Sequence, residues 1–288
     1  MTRQHSVQAR PTPTHAGVGL RPRHFQHVLR ERPAVPWFEL HTENFFCAGG
    51  EMHSILEAVR CRYPLSLHGV GLSLGSADTL NRAHLHKLKQ LVDRYQPVLI
   101  SEHLCWGALD GQHFNDLLPM PYTEESLALM VDRVTETQDV LGRQILIENV
   151  SSYLTYTCST IGEGDFLAQL ARRSGAAILL DVNNVYVNAI NHGIDACSYI
   201  RSLPPDSVKE IHLAGFTRKL GLAAELLIDS HDHPVDPAVW ALYRETLQHT
   251  GPVPTLIEWD QNLPEFEVLL SEAATAETLL DAYRYAIA

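Results

Sequence analysis

Histidine, carboxylate and amide side chains gather at the ends of short apolar runs along this 288-residue chain. Sixteen histidines are present, and several of them directly follow runs rich in Val, Ile and Leu. The polar residues at the run ends are Glu39, His41, Glu43, His68, Glu102, His103, Glu148, Asn149, Asp181, Asn183, Asn184, His212, Glu258 and Asp260, with Asp229, His231 and His233 in the segment after the seventh run. Charged groups beside buried runs are costly unless they are paired or bind a cation. The pattern therefore predicts a metal site.

Imidazole and carboxylate side chains together are ligands typical of Fe(II), Mn(II), Co(II) and Zn(II). No cysteine is among these candidate ligands, which argues against Cu(I) and iron–sulfur clusters. Neutral imidazole and ionised carboxylate are the metal-binding forms near pH 7, so no unusual pKa is required. Because the set holds more histidines and carboxylates than one ion needs, the sequence predicts at least two metal ions, with Glu148 bridging them.

Eight β-type runs must position these side chains. They are AGVGL (16–20), WFELHT (37–42), PLSLHG (64–69), VLISEHL (98–104), ILIENV (145–150), AILLDV (177–182), VKEIHLAG (208–215) and TLIEWD (255–260). Amphipathic stretches with helical spacing lie between them, for example at 77–95 and 123–141. Strand and helix in alternation indicate parallel strands, and eight such units match a closed barrel whose strand ends share one face. The sequence predicts an α/β fold with a tail at 1–14 and a single TIM-type barrel of eight parallel strands at 15–288.

Composition and charge exclude several classes of protein. The chain has 22 basic and 34 acidic residues, a formal charge of −12, so it offers no surplus of Lys and Arg for binding nucleic acid. No apolar run approaches the length of a membrane-spanning helix, and the polar N-terminus lacks the apolar region of a signal peptide. The five cysteines include no C-x-x-C pair and are expected to be free thiols. A cytoplasmic protein without membrane or nucleic-acid partners is the expectation.

Other catalytic templates are absent or weak. No H-E-x-x-H or G-x-x-x-x-G-K motif occurs in the sequence. His84 and His86 fall inside the helical stretch 77–95, away from the strand ends, and are expected at the surface. Trp106 follows the fourth run, where its loop either covers the site or packs against the barrel.

Nine ordered motifs resemble a known family. They are GVGL, FELHTENFF, LHGVGLSLG, ISEHLCW, LIENVSSY, LLDVNNVYVN, EIHLAGF, IDSHDHPV and LIEWD. In this order, over about residues 16–265, the chain resembles the multinuclear non-heme iron-dependent oxidases. That family is similar to the wider xylose-isomerase-like barrels, which agrees with the eight strands counted above.

The resemblance implies an enzyme that uses iron and dioxygen to modify cysteine residues of a ribosomally made precursor peptide, commonly with a second protein that recognises the precursor. Two irons are expected, with a third site partly occupied, and the peptide thiolate is expected to bind one of them. The metal ligands that the resemblance implies are His68, His103, Glu148, Asp181, Asn184, His212, Asp229, His231 and Glu258. Of these, His68, His103 and Glu148 are the expected catalytic residues. Asn184 stands where related endonuclease-type barrels have histidine, so one metal position is expected to be looser or open to substrate.

Three further residues are candidates for contacts with the peptide. Glu43 and Asn44 either orient the peptide or a metal-bound water, or shape a turn. Arg218, beside Lys219, either binds a peptide carboxylate or belongs to a solvated loop, and the loop is favoured. The precursor-binding surface is expected to be apolar and to offer a strand edge, although no segment of the sequence identifies it.

Two alternatives remain open at this stage. The first is a metal-dependent hydrolase or isomerase on the same barrel, such as a phosphodiesterase or a sugar isomerase. The acidic balance of the chain argues against a DNA substrate. The second is a metal-loaded scaffold that binds peptides or buffers metal ions without turnover, because a fold alone does not establish activity.

Overall fold

Eight parallel strands lie side by side and close into a barrel in the computed structural model, which describes residues 12–220 and 225–287. The strands are β1 (Ala16–Gly19), β2 (Phe38–His41), β3 (Leu65–His68), β4 (Leu99–His103), β5 (Leu146–Glu148), β6 (Ala177–Asp181), β7 (Val208–Leu213) and β8 (Thr255–Ile257). Each strand pairs with its neighbours in sequence, and β1 pairs with β8 to close the ring. Each predicted run contains one strand, so the predicted closed parallel barrel is confirmed.

Nine helices of the described chain surround or cover the barrel. They are α1 (Phe25–Glu31), α2 (Glu51–Arg60), α3 (Arg82–Tyr95), α4 (Glu124–Leu141), α5 (Glu163–Ser174), α6 (Val182–His192), α7 (Ala196–Ser202), α8 (Pro237–Thr250) and α9 (Phe266–Ile287). The helix predicted at 77–95 begins later, because the Asn81 side chain accepts a hydrogen bond from the His84 backbone N–H (3.0 Å) and caps the helix there. The helix predicted at 123–141 matches α4, whose first turn is capped by Thr123.

Alternation along the strands separates an outer and an inner set of side chains. In β6, Ile178 and Leu180 belong to the main apolar core, whereas Ala177 and Leu179 join a smaller buried cluster with residues of β4 and β5. Asp181 lies two residues after Leu179, so its side chain is on the same face of the strand as this smaller cluster. Its carboxylate therefore lies inside the barrel, above an apolar base. The inner face of the barrel thus changes from apolar to ionisable toward the strand ends.

The strand register brings the ionisable ends level with one another. His103 pairs with Glu148 across β4 and β5, and Asp181 pairs with His212 across β6 and β7. Because all eight strands are parallel, these side chains meet at the carboxyl-terminal end of the barrel, where TIM-barrel enzymes build their active sites.

Two antiparallel hairpins extend the chain after β4 and β7. The first joins Trp106–Leu109 to Gln112–Leu118, and the second joins Thr217–Leu220 to Glu225–Ile228. Neither was predicted from the sequence. Trp106 is half-buried in the first hairpin, where its indole N–H donates to the Pro119 carbonyl (2.8 Å). Both hairpins follow strands whose ends carry the ionisable groups, so they flank the mouth of the barrel.

The described helices include none that is both long enough and apolar enough to cross a membrane. The predicted tail falls mostly outside the described residues, and the division into a tail and one domain stays a prediction.

Candidate metal centre

Two histidines face one carboxylate oxygen at the ends of β3, β4 and β5. The Nε2 atoms of His68 and His103 lie 3.3 Å and 3.2 Å from Oε2 of Glu148. All three side chains are buried, and Glu148 Oε2 has no hydrogen-bond partner among the described residues. Two ligands held about 2.1 Å from one ion at angles of about 90–110° lie roughly 3.0–3.4 Å apart. The three side chains therefore fit a shared cation.

Hydrogen bonds on the far side of each ring support the metal-binding tautomer. His103 Nδ1 lies 2.9 Å from the Gly69 carbonyl, which can only accept, so Nδ1 donates and Nε2 carries the lone pair that faces Glu148. His68 Nδ1 lies 2.7 Å from the Ser101 hydroxyl, which fills the same role. A side chain at Gly69 would place its Cβ 2.2 Å from Glu102 Oε1, so the carbonyl that orients His103 requires glycine.

Glu148 also belongs to a second ligand group. His212 Nδ1 lies 3.6 Å from Glu148 Oε1 and 3.1 Å from Glu258 Oε2, and Asp181 completes this group. All four side chains are buried. One oxygen of Glu148 thus faces the first group and the other faces the second, which is the arrangement of a bridging carboxylate. The predicted ligands from β3 to β8 are brought together in space.

Two carboxylates lie on the opposite side of the His212 ring. His212 Nε2 is 3.1 Å from Glu39 Oε2 and 3.9 Å from Glu210 Oε1, and both glutamates are fully buried. Carboxylates in this position orient a histidine ligand and raise its basicity. Glu210 was not among the predicted site residues because it stands in the middle of a run. It lies two residues before His212, on the same face of β7, and that position was a usable signal.

Asp229 and His231 approach the second group from the loop after the second hairpin. His231 Nε2 lies 2.6 Å from Asp229 Oδ1, and His231 Nδ1 lies 3.5 Å from Glu258 Oε2. Their side chains are 13–14% exposed, so they form the outer part of the cluster. His231 has a left-handed backbone with φ of 48°, and its N–H donates to the Gly215 carbonyl (3.1 Å). A Cβ on Gly215 would lie 2.1 Å from the His233 carbonyl oxygen, so this close approach also depends on glycine.

Asn184 lies beside Asp181 at the start of α6. The Asp181 side chain caps the helix by accepting from the Asn184 backbone N–H (2.6 Å) through Oδ1, which leaves Oδ2 without a hydrogen-bond partner in the described chain. The Asn184 amide donates to the Asn149 carbonyl (3.1 Å), and its Oδ1 is buried and also unpartnered there. An amide oxygen is a weaker metal ligand than imidazole, so the position of Asn184 is compatible with a loosely held ion.

A third possible ligand group already contains a cation from the protein. His41, Glu258 and Asp260 surround the buried guanidinium of Arg21. Arg21 donates to Asp260 Oδ1 (2.6 Å) and Glu258 Oε1 (3.5 Å), and its Nη2 lies 3.0 Å from His41 Nε2. Because the guanidinium fills the space between these ligands, they do not form a further ion site. Arg21 was not among the predicted site residues, although it directly follows the first apolar run.

Burial dominates the electrostatics of the first ligand group. It lowers the pKa of His103 to about 4 and that of His68 well below its ordinary value, so both rings are neutral at pH 7. It also raises the pKa of Glu148 well above the ordinary value. Neutral imidazole is the form that binds a metal, and a cation between these three residues would remove the cost of ionising Glu148.

At His212, neighbouring carboxylates have a larger effect on the pKa than burial does. Burial lowers its pKa, but Glu39, Glu148 and Glu258 outweigh burial and raise the pKa well above its ordinary value. Burial also raises the pKa of Asp181 to about 7. The cluster thus concentrates more carboxylates than the nearby protein cations neutralise, which is the charge balance expected of a site for multivalent cations.

The three candidate peptide contacts lie apart from this cluster. Glu43 Oε1 accepts from the backbone N–H groups of Val70 (3.1 Å) and Gly71 (2.9 Å), a role in shaping the loop after β3. Asn44 is exposed on a short 3₁₀-helix. Arg218 lies on the second hairpin, where it pairs with Glu225 at 3.3 Å.

The prediction that His84 lies at the surface is wrong. Its side chain is only 13% exposed, and Nε2 lies 3.1 Å from Glu43 Oε1, because α3 packs its first turn against the 3₁₀-helix that carries Glu43. His86, two residues later on the other side of α3, is exposed as predicted.

Comparisons with known proteins agree with the geometry. The sequence model of the family described as "RiPP precursor modification enzyme MbnB/TglH/ChrH" matches residues 15–281, where RiPP denotes a ribosomally synthesised and post-translationally modified peptide. A UPF0276 protein of Acaryochloris marina (strain MBIC 11017) is 49% identical over 269 residues, which cover 93% of this chain and 96% of that protein.

Solved structures show the same fold at low sequence identity. A xylose isomerase-like TIM barrel protein from Mycobacterium smegmatis in complex with magnesium has a TM-score of 0.55 at 14% identity, over 82% of this chain and 80% of that one. Endonuclease IV from Thermus thermophilus has a TM-score of 0.58 at 13% identity, over 94% and 99% of the two chains. The barrel is therefore of the xylose-isomerase-like type.

Proposed function

We propose a function that starts from the family of this chain. The chain belongs to the RiPP precursor modification enzyme family MbnB/TglH/ChrH. The proposed function is an iron-dependent oxidase that uses dioxygen to modify cysteine residues of a ribosomally made precursor peptide. Two irons, with a third site partly occupied, are proposed at the mouth of the barrel. A second protein that recognises the precursor is proposed as a partner.

One observation carries the proposal, namely the division of Glu148 between two ligand groups. Its Oε2 faces the lone pairs of two neutral histidines, and its Oε1 faces His212 in a group that includes Asp181 and Glu258. Mixed imidazole and carboxylate ligands suit Fe(II) and other first-row divalent metals, and a shared carboxylate suits more than one ion. The resemblance of the nine sequence motifs to the multinuclear non-heme iron-dependent oxidases favours iron among these metals.

Bound iron would supply Lewis acidity and one-electron chemistry with dioxygen. The protein supplies position and charge around it. The Gly69 carbonyl and the Ser101 hydroxyl fix the rings of His103 and His68, and Glu39 fixes the ring of His212. Each ligand ring is thus held from its far side, which limits the movement that the centre can make during turnover.

The outer residues of the cluster define where the peptide would enter. The side chains of His41, Asp229 and His231 are 20%, 14% and 13% exposed, in contrast to the nearly closed inner ligands. The Tyr153 hydroxyl accepts from the Asp229 backbone N–H (3.0 Å), and Tyr153 as a whole is 43% exposed. A peptide thiol reaching the second ligand group would pass these residues, with the hairpins limiting access of water on either side.

The test combines metal analysis with mass spectrometry. The purified chain, co-expressed with a cysteine-containing precursor peptide encoded beside it, is expected to contain iron and to change the mass of that peptide in an oxygen-dependent way. His103→Ala and Glu148→Ala are expected to lose bound iron and turnover together. His86→Ala is the matched control, because it removes an exposed histidine far from the cluster.

Other outcomes would replace this function. Full turnover without iron would refute the iron-dependent oxidase. Zinc together with phosphatase activity would favour the hydrolase alternative, which otherwise has only the shared barrel in its support. Bound metal without oxygen uptake in the presence of precursor would favour a scaffold.

A further inference from the structure

A cavity of about 430 Å³ lies beside the metal centre and takes no part in it. Its walls come from the first turn of α5, the loop after β5, and the end of α6 with α7. The wall that separates it from the metal centre includes Asn188, whose amide donates to the Val150 carbonyl (2.9 Å). Asn184, one turn earlier on the same face of α6, lies among the metal-facing residues, about 6 Å away along the helix axis. The cavity is therefore within reach of a peptide bound at the centre.

The half-buried Glu163 forms the polar end of this cavity. Glu163 Oε1 accepts a hydrogen bond from the Tyr199 hydroxyl (3.2 Å), and Tyr122 also donates to this carboxyl. A carboxylate has about four acceptor positions, so two hydroxyls leave it able to accept more. Burial raises the pKa of Glu163 to about 7 despite these two hydrogen bonds, and no ion pair joins Glu163 to a Lys or Arg of the described residues.

The remaining walls carry acidic, aromatic and apolar side chains among serine, threonine, asparagine and histidine residues. Asp165 and Asp195 add carboxylates at the rim, and none of the described residues that line the cavity is Lys or Arg. Tyr156 adds a third aromatic ring to those of Tyr122 and Tyr199. Leu154 and Ile194, 48% and 41% exposed, lie at the opening. Carboxylates and aromatic rings attract cations, and apolar side chains at the opening suit an aliphatic stem.

We propose that this cavity binds a basic side chain of the peptide substrate, with its ammonium or guanidinium group at Glu163 and its methylene stem between Leu154 and Ile194. The proposal rests on the proposed function for the existence of a peptide substrate. An anionic ligand is disfavoured in this cavity. The N-terminal end of a helix attracts anions, but Glu163 and Asp165 already place two carboxylates in the first turn of α5. The cavity thus selects precursors with a Lys or Arg near the residue that is modified.

Small probes test the cavity without any precursor. Nα-acetyl-lysine methylamide is expected to bind the metal-loaded protein in the millimolar range by ligand-observed NMR, and the neutral norleucine analogue at least about tenfold more weakly. Glu163→Gln keeps the size of the side chain and an acceptor for the tyrosines, and is expected to weaken the lysine probe by about 10–100-fold. Glu51→Gln, which removes an exposed acid from the first turn of another helix, is the matched control and should leave binding unchanged.

Three results would overturn the proposal: equal binding of the lysine and norleucine probes, tighter binding of the corresponding glutamate probe, or lysine binding that is unaffected in Glu163→Gln. The first would indicate a purely apolar cavity and the second an anion site.

A precursor assay separates this proposal from the proposed function. Glu163→Gln is expected to raise KM for the precursor about tenfold with kcat retained, and replacing one basic residue of the precursor by norleucine should produce the same rise. If the wild type modifies the precursor but neither KM nor probe binding depends on Glu163, the cavity proposal fails alone. If the lysine probe binds through Glu163 but no precursor is modified, the proposed function fails while the cation site stands.

Discussion

At the scale of single residues, the candidate centre depends on atoms behind the ligands as much as on the ligands. The Gly69 carbonyl fixes the His103 ring, and a Cβ on Gly69 would overlap Glu102 Oε1 at 2.2 Å. Gly69→Ala is therefore expected to shift this carbonyl, to release the His103 ring and to lower the bound iron by at least about half, as measured by elemental analysis of the purified protein.

Gly49→Ala provides the comparison for that substitution. A Cβ on Gly49 would meet no atom within 4 Å, so the variant should keep its metal. Equal iron content in the two variants would show that the orientation of His103 does not control metal binding.

Glu39 gives a second prediction at this scale, since its carboxylate lies 3.1 Å from His212 Nε2. Glu39→Ala removes the group that orients this ring and is expected to weaken metal binding about 10–100-fold in a titration against a competing chelator. Glu39→Gln keeps one acceptor oxygen and should lie between Glu39→Ala and the wild type. If all three bind metal equally, Glu39 has no part in positioning His212.

The strand-end residues could be predicted from the sequence because an apolar run marks both the strand and the point where it ends. His68, His103 and Glu148 all occupy such positions. Arg21 directly follows the first apolar run, so its position carries the same signal, but its partners are set by packing between distant segments. Glu210 stands inside a run and is marked only by lying two residues before His212. The register of β7 shifts between its pairings with Ile178 and Leu179, and no feature of the sequence announces such a shift.

At the scale of elements, strands and helices with apolar, periodic residues could be predicted from the sequence. Short polar strands and capping hydrogen bonds could not. Each of the eight barrel strands contains buried apolar residues that mark it in the sequence, even where a polar residue such as Ser66 or Glu210 interrupts them. The first hairpin contains Gln112–Leu118, which is mostly exposed, so its strands carry no such signal. The start of α3 was misplaced because a capping hydrogen bond from Asn81, rather than apolar spacing, determines where that helix begins.

The first turn of α5 gives a prediction about pH. The pKa of Glu163 rises from 4.5 to about 7 on folding, with Tyr122 and Tyr199 as its hydrogen-bonding neighbours and Asp165 and Asp195 at the cavity rim. Between these values the folded chain holds more protons than the unfolded one, so the free energy of unfolding falls as pH rises from about 4.5 to 7. The contribution of this one group is on the order of 1–3 kcal/mol.

Glu163→Gln should remove that contribution, so the variant should lose less stability than the wild type between pH 5 and pH 8 in urea unfolding. The difference between the two proteins isolates Glu163 from other carboxyls that titrate in the same range. Glu51→Gln, an exposed first-turn acid, should follow the wild type. Parallel curves for wild type and Glu163→Gln would mean that this carboxyl titrates alike in the folded and unfolded chain.

At the scale of the whole molecule, the barrel holds its carboxylates against their mutual repulsion. Strands from every part of the chain contribute to the cluster, from Glu39 in β2 to Glu258 after β8. Burying these groups without a cation costs stability throughout the barrel, since each strand is held by its neighbours. Metal bound to the folded chain alone would offset that cost by mass action.

Removal of metal should therefore lower the thermal stability of the whole barrel rather than loosen one loop. At a free metal concentration of about 1,000 times Kd, binding adds about 4 kcal/mol, which corresponds to a fall in Tm of roughly 5–10 °C after chelation for a chain of this length. Calorimetry of the chelated and reloaded protein measures this fall as the shift of one transition. In Glu148→Ala, which lacks the shared carboxylate, adding metal to the chelated protein should raise Tm much less than in the wild type. His86→Ala should behave as the wild type does. An unchanged Tm after chelation of the wild type would contradict this prediction. It would show that hydrogen bonds and the guanidinium of Arg21 are enough to stabilise the buried carboxylates without metal ions.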